Sequence, residues 1–259
     1  MFRLVFTVAI IALTYGRQIT DFGGRLVGGK DAEIEDHPYQ LSIEFGNVHF
    51  CGASLIRPKV AVTAAHCLEE VGGDNTYLSV RAGSSLVHEG GQVANILEIY
   101  DHPKFDTDIG DYDVSVILLD QSFVLGAGVQ TIPLQPVNEE IPTGTVATVT
   151  GWGTLHEKGP YPDKLQQVQV AKIEFSKCVE LYSHHNRTVA DTMVCFGFIK
   201  GGKDTCEGDS GGPLVINGML VGLVSWGLGC AQPNQPGLYT KISHPEINSY
   251  IKKCVAKFE

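Results

Sequence analysis

The chain alternates short, β-prone apolar runs with turn residues and contains almost no long helical pattern. Runs rich in Val, Ile and Thr fall at 39–45, 60–64, 77–82, 93–100, 114–119, 145–150, 165–173, 213–216, 220–225 and 238–242. Many short strands punctuated by glycine and proline predict a β-sandwich or β-barrel architecture. The segment 121–136 is looser and is the expected crossing between two halves. Only the C-terminus has helical periodicity. There Ile247, Tyr250, Ile251, Cys254 and Phe258 follow the i, i+3, i+4, i+7, i+11 spacing of one apolar stripe. Pro245 suits the first turn of that helix.

The first 16 residues have a different pattern. Arg3 precedes an apolar run from Leu4 to Leu13 broken only by Thr7, and small residues Thr14 and Gly16 follow. This is the order of a cleaved secretory signal, and the run is shorter than the roughly 20 apolar residues a membrane-spanning helix needs. The mature protein is therefore expected to be secreted and soluble, with no membrane partner. With 43% hydrophobic residues the composition is that of a globular protein.

The formal net charge is −10, and the first 25 residues carry +2, so the remainder carries −12. An acidic surface disfavours nucleic acid as a partner and favours the approach of cationic substrates. Seven cysteines in a secreted chain imply disulfides with one thiol left over. Composition leaves the pairing open. Cys254 lies on the apolar helical stripe, which points to a buried core position rather than a link to another chain.

Candidate chemistry centres on Ser210 in Gly208-Asp209-Ser210-Gly211-Gly212. Flanking glycines let the backbone approach a substrate carbonyl and turn amides toward it. The segment also fits the Gly-x-Ser-x-Gly elbow of α/β-hydrolases, which requires an acid and then a histidine after the serine. No acidic residue lies between Ser210 and His244, the sole downstream histidine, and Gly-Pro after the serine opposes a helix start. The elbow reading fails. The opposite order, histidine then aspartate then serine, is available as His66, Asp113 and Ser210.

At this point the residues carry a specific resemblance. Thr-Ala-Ala-His-Cys (63–67), Asp-Val-Ser-Val-Ile-Leu-Leu (113–119), Gly-Trp-Gly (151–153), Cys-Glu-Gly-Asp-Ser-Gly-Gly-Pro (206–213) and Val-Ser-Trp-Gly (224–227) resemble the trypsin-like family of serine peptidases. The likeness runs from Leu26 to the C-terminus. It implies an all-β fold of two six-stranded antiparallel barrels, about 26–130 and 131–259, with a C-terminal α-helix. It also implies a triad in which Ser210 attacks, His66 moves the proton and Asp113 orients His66. The backbone N–H groups of Gly208 and Ser210 are then the oxyanion donors.

The same resemblance assigns Asp204 to the floor of the primary pocket, with Ser225, Gly227 and Gly237 along its walls, and so implies cleavage after Arg or Lys. Glu207 falls at the rim, where it disfavours acidic substrate residues. Gly-Gly-Arg-Leu-Val-Gly-Gly (23–29) resembles a zymogen activation site, with a propeptide over 17–25. Cleavage after Arg25 would free the Leu26 ammonium to pair with Asp209. Most relatives begin with Ile or Val, so Leu26 is a departure.

The family pattern pairs Cys51 with Cys67, Cys178 with Cys195 and Cys206 with Cys230. Asn186-Arg187-Thr188 is a glycosylation sequon. No cofactor is implied. A calcium site is not expected either, because the loop after Gly83 contains a single acid, Glu89. Expected partners are proteins or peptides containing Arg or Lys, an activating trypsin-like protease and protein inhibitors, with the enzyme itself a monomer. Two rival readings are a catalytically silent homologue used for binding and a peptidase of chymotrypsin-like specificity. The intact triad counts against the first, and Asp204 against the second.

Overall fold

A computed structural model describes residues 26–69, 71–72 and 75–258. The expected signal segment, the propeptide and Arg25 lie outside the described residues. After a short strand β1 (Lys30–Asp31) come β2 (Gln40–Phe45), β3 (Val48–Arg57), β4 (Val60–Thr63), β5 (Leu78–Ala82), β6 (Gln92–Asp101) and β7 (Ser115–Leu119). These six close into an antiparallel barrel in the order β2-β3-β4-β7-β6-β5. A short helix α1 (Ala65–Glu69) follows β4.

The second barrel comprises β8 (Val146–Gly151), β9 (Gln166–Lys172), β10 (Met193–Gly197), β11 (Pro213–Ile216), β12 (Met219–Trp226) and β13 (Gly237–Lys241). Its order is β9-β10-β13-β12-β11-β8, and pairing of β8 with β9 closes it. Closure of both barrels pairs strand edges that would otherwise invite association. Helices α2 (Phe175–Ser183) and α3 (Pro245–Val255) complete the fold. β1 pairs with β9, so the first residues of the expected N-terminal half add to the second barrel instead.

Two strands of the first barrel are buried on both faces, for a simple geometric reason. Successive side chains of a strand point to opposite sides. On β7, Ile117 and Leu119 fill the barrel interior, while Val116 and Leu118 face outward into a second apolar cluster. On β4, Ala61 points in and Val60 and Val62 point out. That outer cluster joins Val215, Leu220 and Leu223 of the second barrel to Ile247, Ile251 and Cys254 of α3. The seam between the barrels is therefore a core in its own right. The leftover Cys254 is a free, buried part of it.

Sequence pattern missed several elements. β3 is interrupted in sequence by Cys51 and Gly52, which mask its alternation, and β10 is only five residues long. α2 is short and capped by the Glu174 carboxylate on the Lys177 N–H at 3.0 Å. Its inner face is fastened by Cys178–Cys195, a non-local constraint that periodicity does not reveal.

At one point the barrels meet backbone to backbone. Gly52 N–H donates to the Ser210 carbonyl at 2.8 Å. A β-carbon on Gly52 would stand 2.7 Å from Gly212 Cα. Backbone cannot step aside as a flexible side chain can. Gly52→Ala is expected to cost about 1–3 kcal/mol, as overpacking does. Thermal unfolding and peptide hydrolysis of the purified variant should both fall; unchanged activity would show that this contact does not set the spacing of the two halves.

Candidate active site

The predicted triad residues converge on this seam. β4 ends at Thr63, and His66 follows in the first turn of α1, tied down by the Cys51–Cys67 disulfide. His66 Nδ1 lies 2.8 Å from Asp113 Oδ2, and the His66 backbone N–H donates to Oδ1 at 3.0 Å. An ionised carboxylate only accepts, so Nδ1 carries the proton and Nε2 is the basic nitrogen.

Asp113 is 2% exposed. Burial alone would raise its pKa, but hydrogen bonds from His66 and Ser225, together with the His66 charge, hold it below the ordinary carboxylate value. Ser225 Oγ donates to Oδ2 at 2.5 Å, so its side chain serves the carboxylate while the residue also lines the cleft. Thr240 Oγ1 donates to the Asp113 carbonyl at 2.6 Å.

Ser210 sits in the turn before β11, pressed against the first barrel. Gly211, at φ +75°, has room for no β-carbon, which would fall 2.0 Å from Thr63 Oγ1. Two cavities adjoin this serine and histidine. One, about 550 Å³, is lined by His66, Asp113, Gly110 and Trp226. The other, about 350 Å³, is lined by Ser210, Asp204, Gly227 and Gly237. Ser225, Trp226 and Gly227 form the wall common to both.

The amides beside Ser210 are oriented by fixed partners. Thr154 N–H donates to the Glu207 carbonyl at 2.7 Å. That carbonyl and the Gly208 N–H belong to one planar peptide and point in opposite directions. The Gly208 N–H is thereby turned away from Thr154, with Gly208 at φ +92°. Among the described residues, neither this N–H nor that of Ser210 has an acceptor.

His49, which sequence reading missed, holds the next peptide. Its Nε2 donates to the Gly208 carbonyl at 2.9 Å, and its Nδ1 accepts from Ser42 Oγ at 2.8 Å. Burial pushes the His49 pKa down to about 4, so the ring is neutral at working pH.

Two buried carboxylates flank the serine. Asp209 is 0% exposed and accepts from Gly153 N–H and Cys206 N–H, each at 2.9 Å. Burial raises its pKa to about 7. The Gly-Trp-Gly motif now has a physical meaning, since β-carbons at Gly151 and Gly153 would fall 2.2 Å and 2.4 Å from that carboxylate. Asp204, 3% exposed, accepts from Thr205 N–H at 2.9 Å and Ala231 N–H at 3.1 Å. Burial raises its pKa to about 7 also.

A β-carbon at Gly237 would lie 2.8 Å from Asp204 Oδ1, so only glycine leaves that carboxylate reachable. Glu207 is exposed beside the same cavity. Asn186 is exposed in the turn after α2 and lines the His66 cavity. The Cys178–Cys195 and Cys206–Cys230 disulfides are formed as well. The 26–28 turn docks beside Asp204, whose N–H reaches the Val27 carbonyl at 3.3 Å.

The family model for trypsin matches residues 26–251. The chain belongs to the trypsin family. A trypsin of Simulium vittatum is 39% identical over 236 residues, 89% of this chain and 94% of the relative. Hypodermin-B of Hypoderma lineatum is 41% identical across the full length of both chains. A vitellin-degrading protease of Bombyx mori is 42% identical over 85% of this chain and 82% of its own. The trypsin-family protein described here is a serine endopeptidase, a hydrolase acting on proteins. Among the described residues no helix is long and apolar enough to cross a membrane.

Removing the Ser225 hydroxyl would take one donor from an ionised, buried acceptor, a bond worth about 1.5–3 kcal/mol. Asp113 has a depressed pKa, so its contribution to stability is present above the unfolded value and lost as pH falls through the folded one. Ser225→Ala raises the folded pKa. The midpoint of acid unfolding should therefore move to higher pH, and kcat on a peptide substrate should fall. An unmoved midpoint would mean the hydroxyl does not support the charge.

Proposed function

We propose that this trypsin-family enzyme is secreted as a precursor, is activated by cleavage after Arg25 and cuts peptide bonds after Arg or Lys through Ser210, His66 and Asp113. The observation that carries the specificity is Asp204, a carboxylate 3% exposed in the cavity it shares with Ser210, held by two amides and facing glycines. A buried carboxylate without a counter-ion is costly, and a substrate guanidinium or ammonium supplies one.

In the proposed reaction Ser210 Oγ attacks the scissile carbonyl carbon while His66 Nε2 takes its proton. The oxyanion accepts from the N–H groups of Gly208 and Ser210. Collapse expels the amine, which takes the proton from His66, and leaves an acyl group on Ser210. Water then attacks by the same route and releases the acid and free serine. Asp113 keeps Nδ1 protonated and balances the imidazolium charge.

Cleavage of the precursor also explains Asp209. The new Leu26 ammonium is the counter-charge for this carboxylate, and pairing it stiffens the turn that carries Gly208. An arginine at the cleavage point makes another trypsin-like protease, or the enzyme itself, the activator. The apolar segment 1–16 supports secretion, and that in turn makes Asn186 available for glycosylation.

Two measurements test the reading. The cleaved enzyme should prefer peptides ending in Arg or Lys over Phe or Leu, and Asp204→Ser should lower kcat/KM on Arg peptides by a factor on the order of 10²–10³, the cost of breaking a buried pair. A wild-type preference for Phe or Leu would refute the role of Asp204, and Ser210→Ala should be silent on every substrate.

The second test uses pH. A buried Asp209 with a raised pKa is neutral near pH 4 and becomes an unpaired charge as pH approaches about 7. The uncleaved chain should therefore lose stability over that window, while the cleaved chain keeps it until the α-amino group, which titrates near pH 8 when free, loses its proton. The difference in Tm between cleaved and uncleaved forms should be small near pH 4, largest at neutral pH, and reduced again in strongly alkaline buffer. A difference independent of pH would exclude the ion pair.

A further inference from the structure

The residue immediately before Asp113 adopts a backbone conformation that its side chain disfavours. Tyr112 has φ +51°, in the left-handed region that glycine occupies readily and an aromatic residue does not. The turn is closed by a hydrogen bond from Val114 N–H to the Tyr112 carbonyl at 2.8 Å. Asp113 is thus placed at the apex of a tight reversal, and its direction follows the conformation of residue 112.

Something must hold the tyrosine there, and its ring is clamped. His102 stacks face to face on Tyr112, with ring centres 4.6 Å apart and planes 12° from parallel. Tyr250 of α3 meets the His102 ring edge-on at 4.6 Å. His102 is fixed in turn. Its backbone N–H donates to the Val114 carbonyl at 3.0 Å, and its Nδ1 accepts from Lys104 N–H at 3.2 Å. Tyr250 Oη donates to the Asp101 carbonyl at 2.7 Å. His244 approaches the Tyr112 ring from α3's N-cap at 6.0 Å, and Lys104 Nζ lies 5.1 Å from its centre.

We propose that Tyr112 is a positioning residue for the peptidase reaction: its ring, stacked on a His102 that Tyr250 braces in turn, holds residue 112 in the left-handed conformation that aims Asp113 at His66. The assignment rests on the triad reading above. The clamp runs from α3 to the catalytic carboxylate without touching substrate, so it acts on turnover and not on binding. Two consequences separate it from a packing role. Deleting the ring while keeping a β-carbon should let the turn relax and swing Asp113 away. Deleting both ring and β-carbon should cost far less, because glycine occupies the left-handed region unaided.

The experiment compares the cleaved wild-type enzyme with Tyr112→Ala and Tyr112→Gly on one Arg peptide, with active enzyme counted by burst titration. Tyr112→Ala should lower kcat by roughly 10- to 100-fold, the scale of an ångström-level misplacement, with KM changed by less than about twofold. It should also shift or broaden the low-field proton resonance of His66 Nδ1–H. Tyr112→Gly should restore kcat to within about threefold of wild type and return the resonance to its place.

Equal losses in Ala and Gly, a loss confined to KM, or no loss in Ala would each overturn the proposal. If Tyr112→Ala fails to fold, His102→Ala and the double variant His102→Ala/Tyr112→Gly decide the question. The single change should lower kcat and the double should recover it, and failure to recover overturns the clamp. An Asp113→Ala control tells the two failures apart, since full activity there would sink the triad reading and the Tyr112 assignment with it, whereas inactive Asp113→Ala with equal losses in Tyr112→Ala and Tyr112→Gly overturns the clamp alone.

Discussion

Everything in this molecule depends on the close approach of two glycine-bearing backbones across the barrel seam. Gly52 and Gly212 approach so closely that a β-carbon on Gly52 would clash with Gly212 backbone, and Gly211 presses on Thr63 at the end of β4. His66 follows Thr63 by three residues, and Ser210 precedes Gly211 by one. A contact that admits no side chain therefore sets the relation of His66 to Ser210, the base and nucleophile of the proposed reaction. The apolar seam of Val60, Val62, Val116, Leu118, Leu220 and Leu223 supplies the force that keeps the two halves pressed together.

The same economy governs the polar interior. Asp113, Asp204 and Asp209 are all buried, yet they are in different electrostatic states. Asp113 has His66 and Ser225 as donors and stays ionised. Asp204 and Asp209 each accept from two backbone amides, and burial raises both toward neutrality. Carboxylates so placed favour whatever cation can reach them. In the proposed function one awaits the substrate side chain and the other the new N-terminus, so that substrate choice and activation follow from one physical principle applied at two places.

The peptides before and after Gly208 show how much is done by groups remote in sequence. Glu207 is held by Thr154, and the Gly208 carbonyl is held by His49, 159 residues away. Asp209 is held by Gly153, 56 residues away. None of these holders reacts. They turn peptide planes, and the direction of an N–H is the property on which the proposed chemistry depends. The role proposed for Tyr112 is of the same kind, exerted through backbone direction.

What the amino-acid sequence determined by itself was the kind of scaffold, together with a set of candidate reacting groups. Short Val- and Ile-rich runs favour a β architecture because alternate side chains must be buried on a pleated strand, and resemblance to the trypsin-like family pointed to the candidate triad, the disulfide cysteines and Asp204. Local pattern also located α3, since one apolar stripe at helical spacing has few other readings. The tertiary structure alone decided what surrounds those groups. The neutral state of His49, the glycine cradle of Asp209, the turning of Ser225 toward Asp113 and the pairing of β1 with the second barrel all depend on partners tens of residues apart. So do β3, whose local signal is broken by Cys51 and Gly52, and the short α2, whose places are set by pairing and cross-linking. Sequence offers candidates for the atoms that react, but hydrogen-bond direction and burial are properties of neighbours in space, and they exist only once the chain has closed around them.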